Sequence, residues 1–180
     1  MRQSGKVALC GAVSSLSVVV MVVTWFHVTT YVMPALAGLF LCVIALELNG
    51  RWAFFSYITV SLIAFFVAET EAKILFILFF GYYPALKISL EKFQKGVLRS
   101  KFVQTLLKCA AFNLAVIIAY VILSGLFRFR LGEIKPLGKA TSYVLLSLGN
   151  AVFFLYDRGI GNLIPFYLHR LHPVVRKIIR

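Results

Sequence analysis

The chain offers little for acid–base, nucleophilic or metal chemistry: three histidines, three cysteines and six carboxylates in 180 residues. His27 stands alone, and His169 and His172 sit as HRLH, without the HExxH spacing that places two imidazoles and a general base on one helix face. The HRLH pair reads as part of a basic surface facing lipid headgroups. Cys10, Cys42 and Cys109 form no CxxC or Cys/His cluster, so they read as packing residues and not as a zinc or disulfide framework. Neither a GxxxxGK[ST] phosphate loop nor a GxSxG nucleophile turn occurs. The carboxylates Glu47, Glu69, Glu71, Glu91 and Asp157 fall near the ends of apolar runs, which does not suggest a proton relay through a bilayer core. An intramembrane enzyme would have only His27 or Glu69 as acid–base groups, and no nucleophile–base pair can be set at one depth with either. No metal, cofactor or catalytic residue is expected.

The remaining patterns suit association and binding. Ala8, Ala12 and Ser15 recur at i, i+4, i+7, a small-residue stripe that lets a second helix approach closely, whether from another chain or from the same one. Pro84 in Gly81-Tyr82-Tyr83-Pro84 has no backbone N–H, which frees the Phe80 carbonyl and predicts a kink. Such a break is tolerated in a membrane where protein or a cavity satisfies the backbone, so the kink serves either a ligand pocket or simple packing. The adjacent tyrosines point to different faces, so at most one lines a cavity; Tyr83 is the candidate. Tyr120 and Ser124 share one helix face, as do Tyr143, Ser147 and Asn150. Asn150 must point inward, to a ligand or to a hydrogen bond with a neighbouring helix. Trp25, His27 and Tyr31 form a short aromatic loop, Glu69 and Glu71 flank another, and Arg128, Arg130 and Lys135 cluster in a third. Basic and aromatic loops suit an anionic or ring-bearing solute, and they equally suit anchoring at the membrane interface.

The elements that must position these residues follow from composition. The chain is 61% hydrophobic and 14% charged with a mean hydropathy of +0.92, against about 45–50% and about 25% in soluble domains. At about 20 apolar residues per crossing, six spans fit, and no room is left for a catalytic or nucleotide-binding domain outside the membrane. The runs are Lys6–Phe26, Tyr31–Leu48, Trp52–Ala68, Ala72–Leu90, Phe102–Phe127 and Ala140–Tyr156, the first read as retained and not as a cleaved signal. An all-α, six-helix membrane domain over residues 1–160 is expected, followed by a basic tail over 161–180. Pro165 and Pro173 should break that tail into short amphipathic helices on the membrane surface.

The net charge of +13 would suggest nucleic acid in a soluble chain, but here it reads as topology. One face collects fourteen basic and three acidic residues, a net of +11, including Arg51, Lys87, Lys108 and the tail; the other has five basic and three acidic, a net of +2. Both termini are therefore expected in the cytoplasm, with the tail on the anionic inner leaflet.

The alanine pair Ala8 and Ala12 after a basic N-terminus, in a six-span chain of this size with PALAGLF and FFGYYPALK segments, resembles the substrate-binding S components of energy-coupling-factor (ECF) transporters. The resemblance implies that Ala8 and Ala12 dock on a transmembrane T component. It also implies a small solute, vitamin-like or a related micronutrient such as a metal, held in the outer half under the outer loops, ATP hydrolysis by two partner ATPases, and a bacterial cell membrane. Its candidate solute contacts are Trp25, His27, Tyr31, Glu69, Tyr83, Tyr120, Ser124, Arg128, Arg130, Tyr143, Ser147 and Asn150. The long basic tail departs from the compact family pattern. A membrane scaffold for cell-envelope assembly would use the same small-residue stripe and hold no ligand.

Overall fold

The computed structural model describes residues 3–26, 29–92, 100–127, 141–170 and 172. Among these the chain is helical throughout, without a strand: α1 Gln3–Val22, α2 Val32–Glu47, α3 Gly50–Val67, α4 Thr70–Leu75, α5 Tyr83–Lys92, α6 Lys101–Phe127 and α7 Thr141–Arg170. A 3₁₀ turn, Val23–Trp25, ends α1, and a π-helical segment, Phe76–Phe80, joins α4 to α5. Among the described residues, four stretches are long and apolar enough to cross a membrane: Gln3–Trp25, Gly50–Val67, Thr70–Glu91 and Phe102–Ala119. Helix α2 is equally apolar but has 16 residues, about 24 Å at 1.5 Å per residue. It lies at the centre of the bundle, with Ala37, Gly38, Leu41, Cys42, Ile44 and Ala45 buried, so it meets other helices more than lipid.

Local chemistry fixes the helix ends. The Thr24 hydroxyl donates to the Met21 carbonyl (2.6 Å), satisfying one acceptor left over as α1 tightens into its last turn. Asn49 caps α3, its side-chain oxygen accepting from the Trp52 N–H (3.1 Å). On α1 the residues Leu9, Val13, Ser17 and Met21, four apart, face the bundle, and the Ser17 hydroxyl lies 3.2 Å from the Ala37 carbonyl of α2.

Small residues bring the first helices close. Ala37, Ala45, Ala53, Ala64, Ala68 and Ala72 are all buried. At Gly38 a Cβ would fall 2.3 Å from the Phe80 carbonyl oxygen, and at Gly50 one would fall 2.1 Å from the Ser89 hydroxyl. At Gly38, where the obstacle is backbone, only hydrogen fits; at Gly50 a methyl would require the Ser89 hydroxyl to turn away.

The predicted break before Pro84 takes a specific form. The Gly81 N–H reaches back five residues to the Phe76 carbonyl (2.8 Å), so the Ile77 carbonyl loses the partner it would have in an α-helix. The Tyr57 hydroxyl supplies that bond at 2.8 Å, and the Phe80 carbonyl freed by Pro84 lies 3.4 Å from the Tyr156 hydroxyl. Neighbouring helices thus complete the backbone, as a nonpolar surround demands.

The expected interruption at Pro165 does not occur: α7 continues through it to Arg170. Ile160 and Tyr167 are buried and Ile164 packs on the core, an i, i+4, i+7 face that docks on the bundle, while Pro165 itself is exposed. Tertiary packing outweighs the single lost hydrogen bond to Gly161. His172 does not face outward as expected either. Its Nδ1 lies 2.5 Å from a carboxylate oxygen of Glu47, which also accepts from the Tyr167 hydroxyl at 2.8 Å. Pro173 lies outside the described residues.

The two ends of the bundle differ in composition. One gathers residues 24–26, 29–31 and 67–71; the other gathers 47–50, 87–91, Lys108, Asp157, Tyr167 and His172.

Candidate functional site: an aromatic cavity beside a buried ion network

The π segment and α5–α7 border a half-open cavity of about 470 Å³. Leu75, Phe79 and Phe80 line it from α4 and the π segment, Tyr83 from α5, and Phe112 and Val116 from α6. Gly149, Val152, Phe153 and Tyr156 line it from α7, and Tyr31 from the start of α2. The rings interlock: Phe112 stacks on Phe153 (centroids 4.6 Å), Phe79 meets Phe112 at 5.4 Å, and Phe80 and Tyr156 meet edge-on at 4.8 Å. The size falls in the range of small-molecule sites, roughly 300–1,000 Å³.

The lining residues carry polar side-chain atoms only as the hydroxyls of Tyr31, Tyr83 and Tyr156. Tyr83 donates to Asp157 Oδ1 at 2.5 Å, and Tyr156 lies 3.3 Å from the Ala35 carbonyl. Both hydroxyls are therefore engaged within the protein. The walls offer shape and ring faces, and no charge of their own.

Tyr83 connects the cavity to an ion network. Lys87 Nζ contacts Asp157 Oδ1 at 2.6 Å and the Asp157 backbone carbonyl at 2.5 Å. Lys108 Nζ contacts Glu91 at 2.7 Å and Asp157 at 3.6 Å. Lys87 is 3% and Lys108 6% exposed. Two ammoniums and two carboxylates make the cluster neutral, the condition under which charges persist away from water. Both lysines count among the basic residues of the predominantly positive face, yet they are buried and paired. The net of that face is unchanged, because Glu91 and Asp157 count there too.

The sequence candidates separate into distinct places. Tyr31 and Tyr83 line the cavity; Tyr82 faces away and meets Tyr57 edge-on. Trp25 and Glu69 instead join two loops: the Trp25 indole N–H donates to the Val67 carbonyl (2.8 Å), and Glu69 accepts from the Thr30 hydroxyl (2.6 Å). Tyr31 adds a bond to Glu71 (2.9 Å), and this hydrogen bond, with the carboxylate's charge, raises the exposed phenol above its ordinary range. Asn150 takes the helix-to-helix alternative. It exchanges amide hydrogen bonds with Asn113 of α6, at 3.1 and 3.2 Å. Ser147 is exposed, away from the cavity. His27, Arg128, Arg130 and the side chains of Tyr120, Ser124 and Tyr143 lie outside the described residues. Ala8, Ala12 and Ser15 are exposed, together with Gly11.

Sequence reasoning missed Phe79, Phe112, Phe153 and Tyr156 as cavity walls, and Lys87, Lys108 and Asp157 as a cluster. The phenylalanines carry no signal among 17 such residues. The lysines carry one: Lys87 and Lys108 sit within apolar runs, and an ammonium at that depth requires a carboxylate partner. No family model, curated protein or solved structure matches this chain.

Proposed function

We propose that this chain is a membrane-embedded, non-enzymatic binding subunit of the ECF S-component kind: it holds a small solute in the aromatic cavity and docks on an energising membrane partner. The preformed cavity with Tyr31 at one end and Tyr83 at its wall is the observation that carries the reading. The outward small-residue stripe of α1 supports the docking half. Ala8, Ala12 and Ser15 are exposed, and a Cβ built on Gly11 would meet nothing within 4 Å. In this proposal the chain makes six crossings of a bacterial cell membrane with both termini cytoplasmic. The Tyr31 end faces outward and the basic tail meets the anionic inner leaflet. The partners are a T component and two ATPases, which supply all nucleotide chemistry.

Bulky replacement of the stripe tests the docking. In Ala8→Trp or Ala12→Trp the chain should lose co-purification with a T component while keeping a bound small molecule in native mass spectrometry; undiminished co-purification rejects the assignment. The same exposed stripe also fits a scaffold of cell-envelope assembly. That reading predicts an empty cavity and a firmly held membrane partner of another kind.

A further inference from the structure

We infer that the occupant of the cavity is an uncharged, lipophilic molecule, an acyl-like or isoprenoid-like chain or an apolar ring system, and that it enters sideways from the bilayer past α7. This rests on the binding-subunit reading and specifies its substrate class. Three observations point to it.

First, the walls give a charge nothing to pair with. Lys87 and Lys108 already hold Asp157 and Glu91 in a neutral set, and the Tyr83 hydroxyl is committed to Asp157. An ion moved into the cavity would lose its hydration without compensation. Second, water is an equally poor occupant. A buried water needs two to four polar partners, about three as a rule, and these walls present chiefly phenyl rings and aliphatic groups. A space of about 470 Å³ with such walls is filled favourably by apolar matter. Third, the cavity is reached from the side. Val152 lines it and is 53% exposed, whereas Phe153 beside it is 5% exposed. Val152 lies near the middle of the 30-residue α7, flanked by exposed Leu148 and Leu155, on a surface suited to lipid and not to water.

One chemistry thus has two sources: the tail of a membrane lipid, or a lipophilic solute partitioned into the bilayer. The test uses the full chain in nanodiscs, photolabelled with a diazirine-bearing hexadecanol and mapped by peptide mass spectrometry, alongside native mass spectrometry of the gently purified protein. Labelling should concentrate several-fold on Phe112, Val116 and Phe153 over the lipid-exposed Phe65 and Phe66. It should fall several-fold in Val116→Trp and in Gly149→Leu, two separate ways of filling the space, with an unfolding temperature close to that of the parent in at least one. A phospholipid mass in the native spectrum identifies the first source, and a neutral lipophile of another mass the second; either supports the inference. A charged, water-soluble mass that disappears in Val116→Trp overturns the substrate class and leaves the binding subunit standing. Uniform labelling, unchanged by the filling variants, with no bound mass overturns both.

Discussion

Helices α1–α3 and helices α5–α7 solve the same packing problem in opposite ways. The first group closes on buried alanines, and where it meets the π segment Gly38 admits the Phe80 carbonyl where a methyl would not fit. The second closes on phenyl rings and four buried or half-buried charges, and leaves about 470 Å³ between them. In lipid there is little hydrophobic drive between helices, so close backbone approach and polar ties must hold them. Small residues maximise contact and exclude a ligand. Rings set helices apart, and an ion network with an amide pair can then hold the separation without filling it. The cavity lies where the polar ties are, which is also where the chain is most sensitive to losing a single partner.

Breaking the ion network should have the largest effect. Lys87→Met leaves Asp157 short of its closest cation and should destabilise by about 3–5 kcal/mol, read as a lowered midpoint in denaturant unfolding. Lys87→Met with Asp157→Leu should recover most of that loss; a double variant as unstable as the single would show that the pair is not what holds α5 to α7. Next comes the small-residue half. Gly38→Val drives a side chain into the Phe80 carbonyl and the Tyr156 hydroxyl, and should cost roughly 1–3 kcal/mol in the same measurement. If it costs nothing, the tight half is less tight than its geometry. The amide pair is a smaller tie. Asn150→Leu should lose about 1 kcal/mol, and adding Asn113→Leu should cost less than that again, since the amide-to-amide bonds are already gone and the Asn113 bond to the Cys109 carbonyl is local to one helix.

The loop tie is the weakest, and it should show as a dependence on alkaline pH. The Tyr31 phenol is raised in the folded chain by the hydrogen bond it donates to the Glu71 carboxylate and by that carboxylate's charge. The stabilisation it brings is therefore complete below the free phenol value of about 10 and fades as pH rises through the folded value. Thermal midpoints taken from pH 8 to pH 11 should fall more steeply in the parent than in Tyr31→Phe; parallel curves would remove Tyr31 from the loop's stability.

Much of this division was readable in the residues. The alternation of apolar runs marked the helices, because backbone polar groups in lipid have no solution but internal bonding. The Gly81–Pro84 segment announced an irregular turn, and the structure supplies it as the π segment. Asn150 had to find an inward partner, and Asn113 is that partner. The continuous course of α7 through Pro165 was not readable, since it depends on Ile160, Ile164 and Tyr167 finding a surface on other helices. Nor was the cavity: its walls Phe79, Phe112 and Phe153 lie up to 74 positions apart by numbering, and only the tertiary fold brings them together.

What the sequence determined by itself was the solvent, the element type and the charge balance, all of which depend on composition and on spacing within one helix. Only the tertiary structure decided which charges leave the surface, which tyrosine faces the cavity and which joins a loop. Those outcomes depend on groups brought together from distant helices, where burial makes each polar atom's partner a matter of several kcal/mol. Lys87 shows the boundary: counted as one more positive charge in the chain, it becomes in the fold the buried partner of Asp157, 70 residues away.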